Sequence, residues 1–253
     1  MDIVIIGTGN VAYALAKRIK ASEHRLVQVV GRNPLHAAHL GKMMEVPSAT
    51  LVTSLNKDAH LYIVAVADDA LYSIGEWMQL DRKLVVHTAG SVSKDVLKNV
   101  SKNYGVLYPL QTLRKEMKIL PEIPFLVDGN TPDDLALIEE FASSISGRVV
   151  MADDESRLKL HLAAVVVNNF SNHLFALAEK YCSDEKLPFE LLQPLITETA
   201  NRLTQIPAKD AQTGPAVRKD ATTIAKQTKM LDKHSALKRI YEDMTASIKA
   251  FHK

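Results

Sequence analysis

Ile3-Val4-Ile5-Ile6-Gly7-Thr8-Gly9-Asn10-Val11-Ala12 is the stretch that decides the fold. Four apolar residues in a row, stopped by glycine, read as a buried strand, and Val11–Lys20 beyond them has a helical pattern. The turn between them fits G-x-G-x-x-[G/A]. The first glycine permits a tight turn and the second lets backbone approach a pyrophosphate. The small Ala12 allows close helix–strand packing. A helix opening here aims its N–H groups and positive dipole end at a phosphate. Alone the pattern is an ordinary glycine turn; between a strand and a helix it reads as a dinucleotide site formed by Gly7, Thr8, Gly9, Asn10, Val11 and Ala12.

Outward from that turn the alternation continues. Apolar runs at Leu26–Val30, Leu61–Val66, Leu84–Val86 and Gly105–Leu107 are spaced by helical patterns at Leu35–Met44, Ala70–Gln79 and Ser93–Val100. Continuous apolar strands between helices imply a parallel sheet covered on both faces. Phe125–Val127 and Arg148–Met151 add strands around a helix at Asp133–Ser144, opened by Thr131 as cap and Pro132 at its first position. After Met151 the strand signal ends. Asp153 and Asp154 are candidate caps of a long helix, Glu155–Cys182, followed by helical patterns at Phe189–Gln205, Ala216–Leu231 and Ser235–Phe251. The expected class is α/β: an N-terminal Rossmann domain with a doubly wound parallel sheet, residues 1–152, followed by an all-α C-terminal domain, residues 153–253.

The totals narrow the function. Lys and Arg number 31 against 29 Asp and Glu, a balance that argues against nucleic-acid or membrane-surface binding. No run approaches the ~20 apolar residues of a membrane span, and the start of the chain lacks the basic region of a signal peptide. The single cysteine, Cys182, cannot form an internal disulfide, and no Cys/His cluster suggests a metal. A cytoplasmic protein is expected.

The second strand ends in Gly31-Arg32-Asn33, where NAD enzymes usually carry a carboxylate for the ribose hydroxyls. Arg32 can pair instead with the 2′-phosphate of NADP, with Asn33 hydrogen-bonding beside it; otherwise Arg32 is a solvated loop residue. Ligands in such sheets sit beyond the carboxyl ends of the strands. Three segments reach that edge: Ala67-Asp68-Asp69, His87-Thr88-Ala89-Gly90-Ser91 and Tyr108-Pro109-Leu110-Gln111-Thr112. Ala67, Asp68, Thr88 and Gly90 are expected against the cofactor, while Asp69 reads as a helix cap. His87 is either a proton donor or a histidine satisfied by backbone. On the long helix His161, Asn168 and Asn172 are seven and eleven residues apart in register, so they share one face with Val165. Such a polar stripe on an apolar helix faces a site or bonds to other helices inside a dimer core. Gly214-Pro215 starts a turn from which Arg218 could clamp a carboxylate; the alternative is a capping turn with a surface ion pair.

In this order the segments resemble the Rossmann-like oxidoreductases whose C-terminal domain has no assigned function (domain of unknown function 2520). These are similar to pyrroline-5-carboxylate reductases, ketopantoate reductases and β-hydroxyacid dehydrogenases. The resemblance spans nearly the whole chain and implies an NADP-binding domain followed by a helical domain that commonly forms a homodimer. β-Hydroxyacid dehydrogenases carry a catalytic lysine one turn before an Asn-Asn pair; here Asn168-Asn169 is present and Val165 stands at the lysine position. Tyr108 stands where the closer family is expected to carry histidine. The implied activity is NADP-dependent hydride transfer between nicotinamide and a small carbonyl or imine substrate, at the cleft between the domains. His161 or His87 would donate the proton, Asn168 hold a polar group and Arg218 a carboxylate. The alternative is a non-catalytic NADP-binding regulatory protein.

Overall fold

A computed structural model describes residues 1–50 and 54–252. The strands are β1 (Asp2–Ile6), β2 (Arg25–Val30), β3 (Ser48–Ala49), β4 (Leu61–Val64), β5 (Leu84–His87), β6 (Asn103–Pro109), β7 (Phe125–Gly129) and β8 (Val149–Met151). They form one sheet in the order β3-β2-β1-β4-β5-β6-β7-β8. Every pairing is parallel except β6 with β7. The chain leaves β1 toward β2 on one side and resumes at β4 on the other. That reversal beside β1 is where doubly wound sheets open a crevice for ligands.

The continuous apolar strands arise because both faces are covered. Ile3, Ile5, Leu61 and Ile63 pack with Leu15 and Ile19 of α1 (Asn10–Lys20) and with Ile138 and Phe141 of α4 (Pro132–Ile145). Val4, Ile6, Tyr62 and Val64 meet Leu71, Ile74 and Leu97 on the other face. Alternate residues thus bury themselves in opposite layers, and the inner positions of β1 and β4 leave no place for a charge. Asn33 caps α2 (Pro34–Met44) and Thr131 caps α4, each with proline in the helix's first turn.

Several expected helices are shorter. Ala70–Gln79 resolves into α3 (Asp68–Leu71) and one 3₁₀ turn, Ile74–Glu76, and Ser93–Val100 into the 3₁₀ turn Lys94–Leu97. Asp69 is not a cap, because the cap position is Ala67 and no side chain bonds there.

The chain divides into two compact units, Met1–Val166 and Val167–Lys253. The secondary structure changes earlier, after β8. Asp153 caps α5 (Asp154–Ala164) by accepting from Ser156 N–H. The helix is not regular: Val165–Phe170 forms a π-helical turn before α6 (Ser171–Asp184). An inserted residue rotates the downstream helix by about 100° against a continuous α-helix. His161, Val165, Asn168 and Asn172 therefore do not keep the common face that their spacing implies. Nor is this stretch buried in the single chain: Leu162 is 64% exposed, Val167 67% and Phe170 58%.

The second unit also contains α7 (Gln193–Arg202), α8 (Ala221–Met230) and α9 (Ser235–Phe251). The helix expected from Ala216 starts at Ala221 instead. Asp220 is its cap, accepting from Thr223 N–H, and Arg218 lies in the turn before it. Lys219, at φ 56°, breaks the helical path there. Among the described residues no helix is long and apolar enough to cross a membrane.

Candidate active site

The glycine turn is built by crowding on one side and space on the other. Gly7 N–H donates to Val30 carbonyl at 2.8 Å, with φ 132°. A side chain at Gly7 would collide with the Ala65 carbonyl, so only glycine carries the chain past β4 there. A Cβ on Gly9 would meet nothing within 4 Å. Gly9 is the N-cap of α1, no side chain bonds at that cap, and the first turn holds no acidic residue. Ala12 is fully buried against the sheet. These features fit a pyrophosphate, which needs free N–H groups, an approachable backbone and no competing carboxylate.

Gly31 packs on this turn. A Cβ there would lie 2.6 Å from Thr8 Cγ2, so the β2–α2 loop rests on the glycine turn. The loop holds Arg32 in solvent, paired with no carboxylate among the described residues. Asn33 is partly committed: its Oδ1 accepts from Leu35 and His36 N–H. Only its amide N–H groups remain for a phosphate.

Beyond β4, β5 and β6 lies a second cluster. Tyr108 hydroxyl and His161 Nδ1 are 2.7 Å apart, with the rings edge to face. Gly90 is packed against both. A Cβ on it would stand 2.7 Å from His161 Nδ1 and 2.8 Å from Tyr108 Cζ. Thr88 N–H continues the sheet by donating to Val64 carbonyl, and Ser91 hydroxyl donates to Asp68 at 2.5 Å. Burial, and then the Asp68 charge, raise the Tyr108 phenol above its usual pKa, with Arg157 pulling the other way. Tyr108 therefore stays protonated through the neutral range.

His87 is a different case. It is 0% exposed, and its Nδ1 accepts from Ala89 N–H in its own turn. Burial and the nearby Arg157 charge push its pKa down to about 4. It is a neutral core histidine, and the expectation of a proton donor here gives way. Its Nε2 finds no partner among the described residues.

Arg157, which the sequence did not single out, is 1% exposed and one helical turn before His161. Its Nη2 donates to Val92 carbonyl at 2.5 Å and to Asp154 at 2.6 Å. It clamps the turn that carries Gly90 onto α5. An arginine four residues before the histidine was the only available signal, and charged residues on a helix are usually solvated.

Asn168 and Arg218 lie on the second compact unit. Both are exposed, and Asn168 amide donates to Asn169 Oδ1 at 3.1 Å.

The comparisons with known proteins divide along the chain. Residues 2–90 match the family described as NADP oxidoreductase coenzyme F420-dependent, and residues 123–248 match a domain of unknown function, DUF2520. No curated protein matches. Among solved structures, the chain is similar to BF3122 from Bacteroides fragilis, described as an NADP oxidoreductase, at 39% identity and TM-score 0.91, covering 98% of each chain. TM1727 from Thermotoga maritima has the same fold at 20% identity and TM-score 0.73, with 99% of this chain and 98% of that one covered. An imine reductase from Myxococcus stipitatus in complex with NADP+ shares the fold at 15% identity and TM-score 0.68, with 99% and 93% covered.

Proposed function

The chain belongs to the NADP oxidoreductase family of BF3122, and on that premise we propose that it passes a hydride between NADP(H) and a small carbonyl or imine substrate. The cofactor supplies the hydride; the chain supplies position and a proton. The observation that carries the proposal is the Tyr108–His161 hydrogen bond, at the carboxyl edge of the sheet and against Gly90. His161 gives a proton to the substrate oxygen or nitrogen and regains it from solvent, while the protonated Tyr108 phenol, hydrogen-bonded at Nδ1, holds the imidazole in position. Gly7 to Ala12 hold the pyrophosphate and Arg32 the 2′-phosphate, with Asn33 amide beside it. Ala67, Asp68, Thr88 and Gly90 flank the nicotinamide half. Asn168 on a polar group and Arg218 on a carboxylate belong to the same proposal, as does cytoplasmic residence.

The test is NADPH oxidation with cyclic imines and 2-oxo acids. Structures of this fold are named for reduction of imines, which puts C=N compounds first. Loss of a general acid costs about 10²–10⁴ in rate, so His161→Gln should abolish measurable turnover with NADPH affinity unchanged. Activity retained in His161→Gln would refute the assignment. A second function, non-catalytic NADP binding in regulation, is favoured by Val165 at the dehydrogenase lysine position. Tight NADPH binding with no oxidation of any substrate would support it.

A homodimer through the helical unit is part of the proposal. Leu191 is 74% exposed, Val167 67%, Phe251 66% and Leu195 62%. Apolar surface on this scale is uncommon on a monomer. Light scattering at micromolar concentration decides, and a monomer would refute it.

A further inference from the structure

Residues 110–124, between β6 and β7, form no regular element, yet they extend away from their own strands in a fixed course. They run along α1 and are tied to it at several points. Lys17 Nζ donates to the carbonyls of Lys115, at 3.3 Å, and Met117, at 2.7 Å. Arg18 Nη2 donates to Pro121 carbonyl at 2.6 Å. At the opposite end of the helix, Lys115 N–H donates to Asn10 Oδ1 at 3.1 Å. Leu113 is buried in the same core layer as α1.

Ordering an irregular loop of this length costs backbone entropy at every residue. Lys17 and Arg18 commit donors to carbonyls to offset that cost. The result is that Lys115 stands beside Asn10, the first residue of α1. There the helix end is uncapped and Gly9 is open. Arg114 and Lys115 are both exposed at this place. Lys115 ammonium pairs with no carboxylate among the described residues. Arg114 has only exposed Glu116, at 3.5 Å. Such an exposed pair is weak and yields readily to a better anion.

We propose that Arg114 and Lys115 are cofactor-binding residues that meet the pyrophosphate of the dinucleotide together with the α1 N-terminus. The inference rests on the glycine turn's being the pyrophosphate site. The turn itself offers only N–H groups and a partial dipole charge, whereas the pyrophosphate carries full negative charges. Two cations from the β6–β7 loop supply the missing compensation. The 2′-phosphate is assigned separately, to Arg32. That separation makes the two contributions distinguishable, because the pyrophosphate is common to NADPH and NADH and the 2′-phosphate is not.

The experiment is fluorescence titration of NADPH and of NADH against wild type, Arg114→Ala/Lys115→Ala and Arg32→Ala, at low and high salt. Both loop side chains are exposed, and the anchoring Lys115 N–H is retained in alanine, so the variant keeps its fold; a thermal melt checks this. The double variant should weaken both cofactors by the same factor, about fivefold or more, with a shallower salt dependence. Arg32→Ala should weaken NADPH alone. Affinities of the double variant within error of wild type would overturn the proposal. So would a loss confined to NADPH, which would move the loop cations to the 2′-phosphate. A wild type that binds neither cofactor would instead overturn the dinucleotide site on which the proposal rests.

Discussion

Gly90→Ala should separate Tyr108 from His161 while leaving the pyrophosphate and 2′-phosphate ends of the cofactor site, at the glycine turn and Arg32, in place. Gly90 is not among the positive-φ residues, so alanine meets no backbone strain and the effect is steric alone. The new methyl group would stand 2.7 Å from His161 Nδ1 and 2.8 Å from Tyr108 Cζ. Both are about 0.7 Å short of ordinary van der Waals contact. The methyl group presses on His161 Nδ1, one end of the hydrogen bond, and on Tyr108 Cζ, the carbon that carries the other. Their 2.7 Å separation should lengthen as the two rings give way. Overpacking of this kind costs about 1–3 kcal/mol of stability, and displacing a reacting group by about 1 Å costs about 10²-fold in rate. The assays are a thermal melt, a titration with NADPH and the nitrogen chemical shifts of His161. The melting temperature should fall, NADPH affinity should change far less than the rate because the phosphate contacts are untouched, and the Nδ1 shift should move to that of an imidazole hydrogen-bonded to water. With a substrate in hand, kcat should drop by a much larger factor than the cofactor Kd rises. Unchanged Nδ1 shift and turnover would refute the argument, because the packing of Gly90 would then not be what holds the pair.

Burial makes His87 a source of acid lability. Its imidazole protonates near pH 6.5 when unfolded and at about 4 in the fold, so the unfolded state binds the extra proton first. The His87 contribution is whole above pH 6.5 and is lost as pH falls toward 4, a span worth up to about 3 kcal/mol. His87→Gln should flatten that part of the stability profile, as read by urea denaturation across pH; an unchanged slope would count against the buried neutral state. Arg157→Met should lower stability by about 1–3 kcal/mol through loss of the Val92 carbonyl bond, and NMR titration should show the His87 pKa rising; a fall would contradict the assigned cause. Arg32→Asp should weaken NADPH by about 10- to 100-fold relative to NADH. Equal affinities for the two cofactors in wild type would refute the role of Arg32.

What was legible in the chain came from features that act locally. Gly7, Gly9 and Ala12 between an apolar run and a helix have few solutions other than a Rossmann turn. Thr131-Pro132 and Asp153 mark helix starts because a cap needs only its own next three residues. The unbroken apolar strands announced a sheet covered on both faces, since any polar residue there would lose its water without a partner.

Tertiary structure decided the rest, where a residue's meaning depends on groups distant in sequence. His87 and His161 look alike along the chain. One is sealed beneath its own turn beside a guanidinium; the other meets Tyr108, fifty-three residues away. Arg157 drew no notice along the chain and is buried, because a distant carbonyl, Val92, and its neighbour Asp154 accept from its Nη2. The π turn at Val165–Phe170 breaks a spacing argument that assumed 3.6 residues per turn, and no residue type there forces it. The loop over α1 was invisible for the same reason: its anchors are side chains of Asn10, Lys17 and Arg18 bonding to backbone about a hundred residues later. Backbone carbonyls and N–H groups are present in every residue and leave no mark in a sequence, so which side chain they recruit is settled only when the chain has folded back on itself.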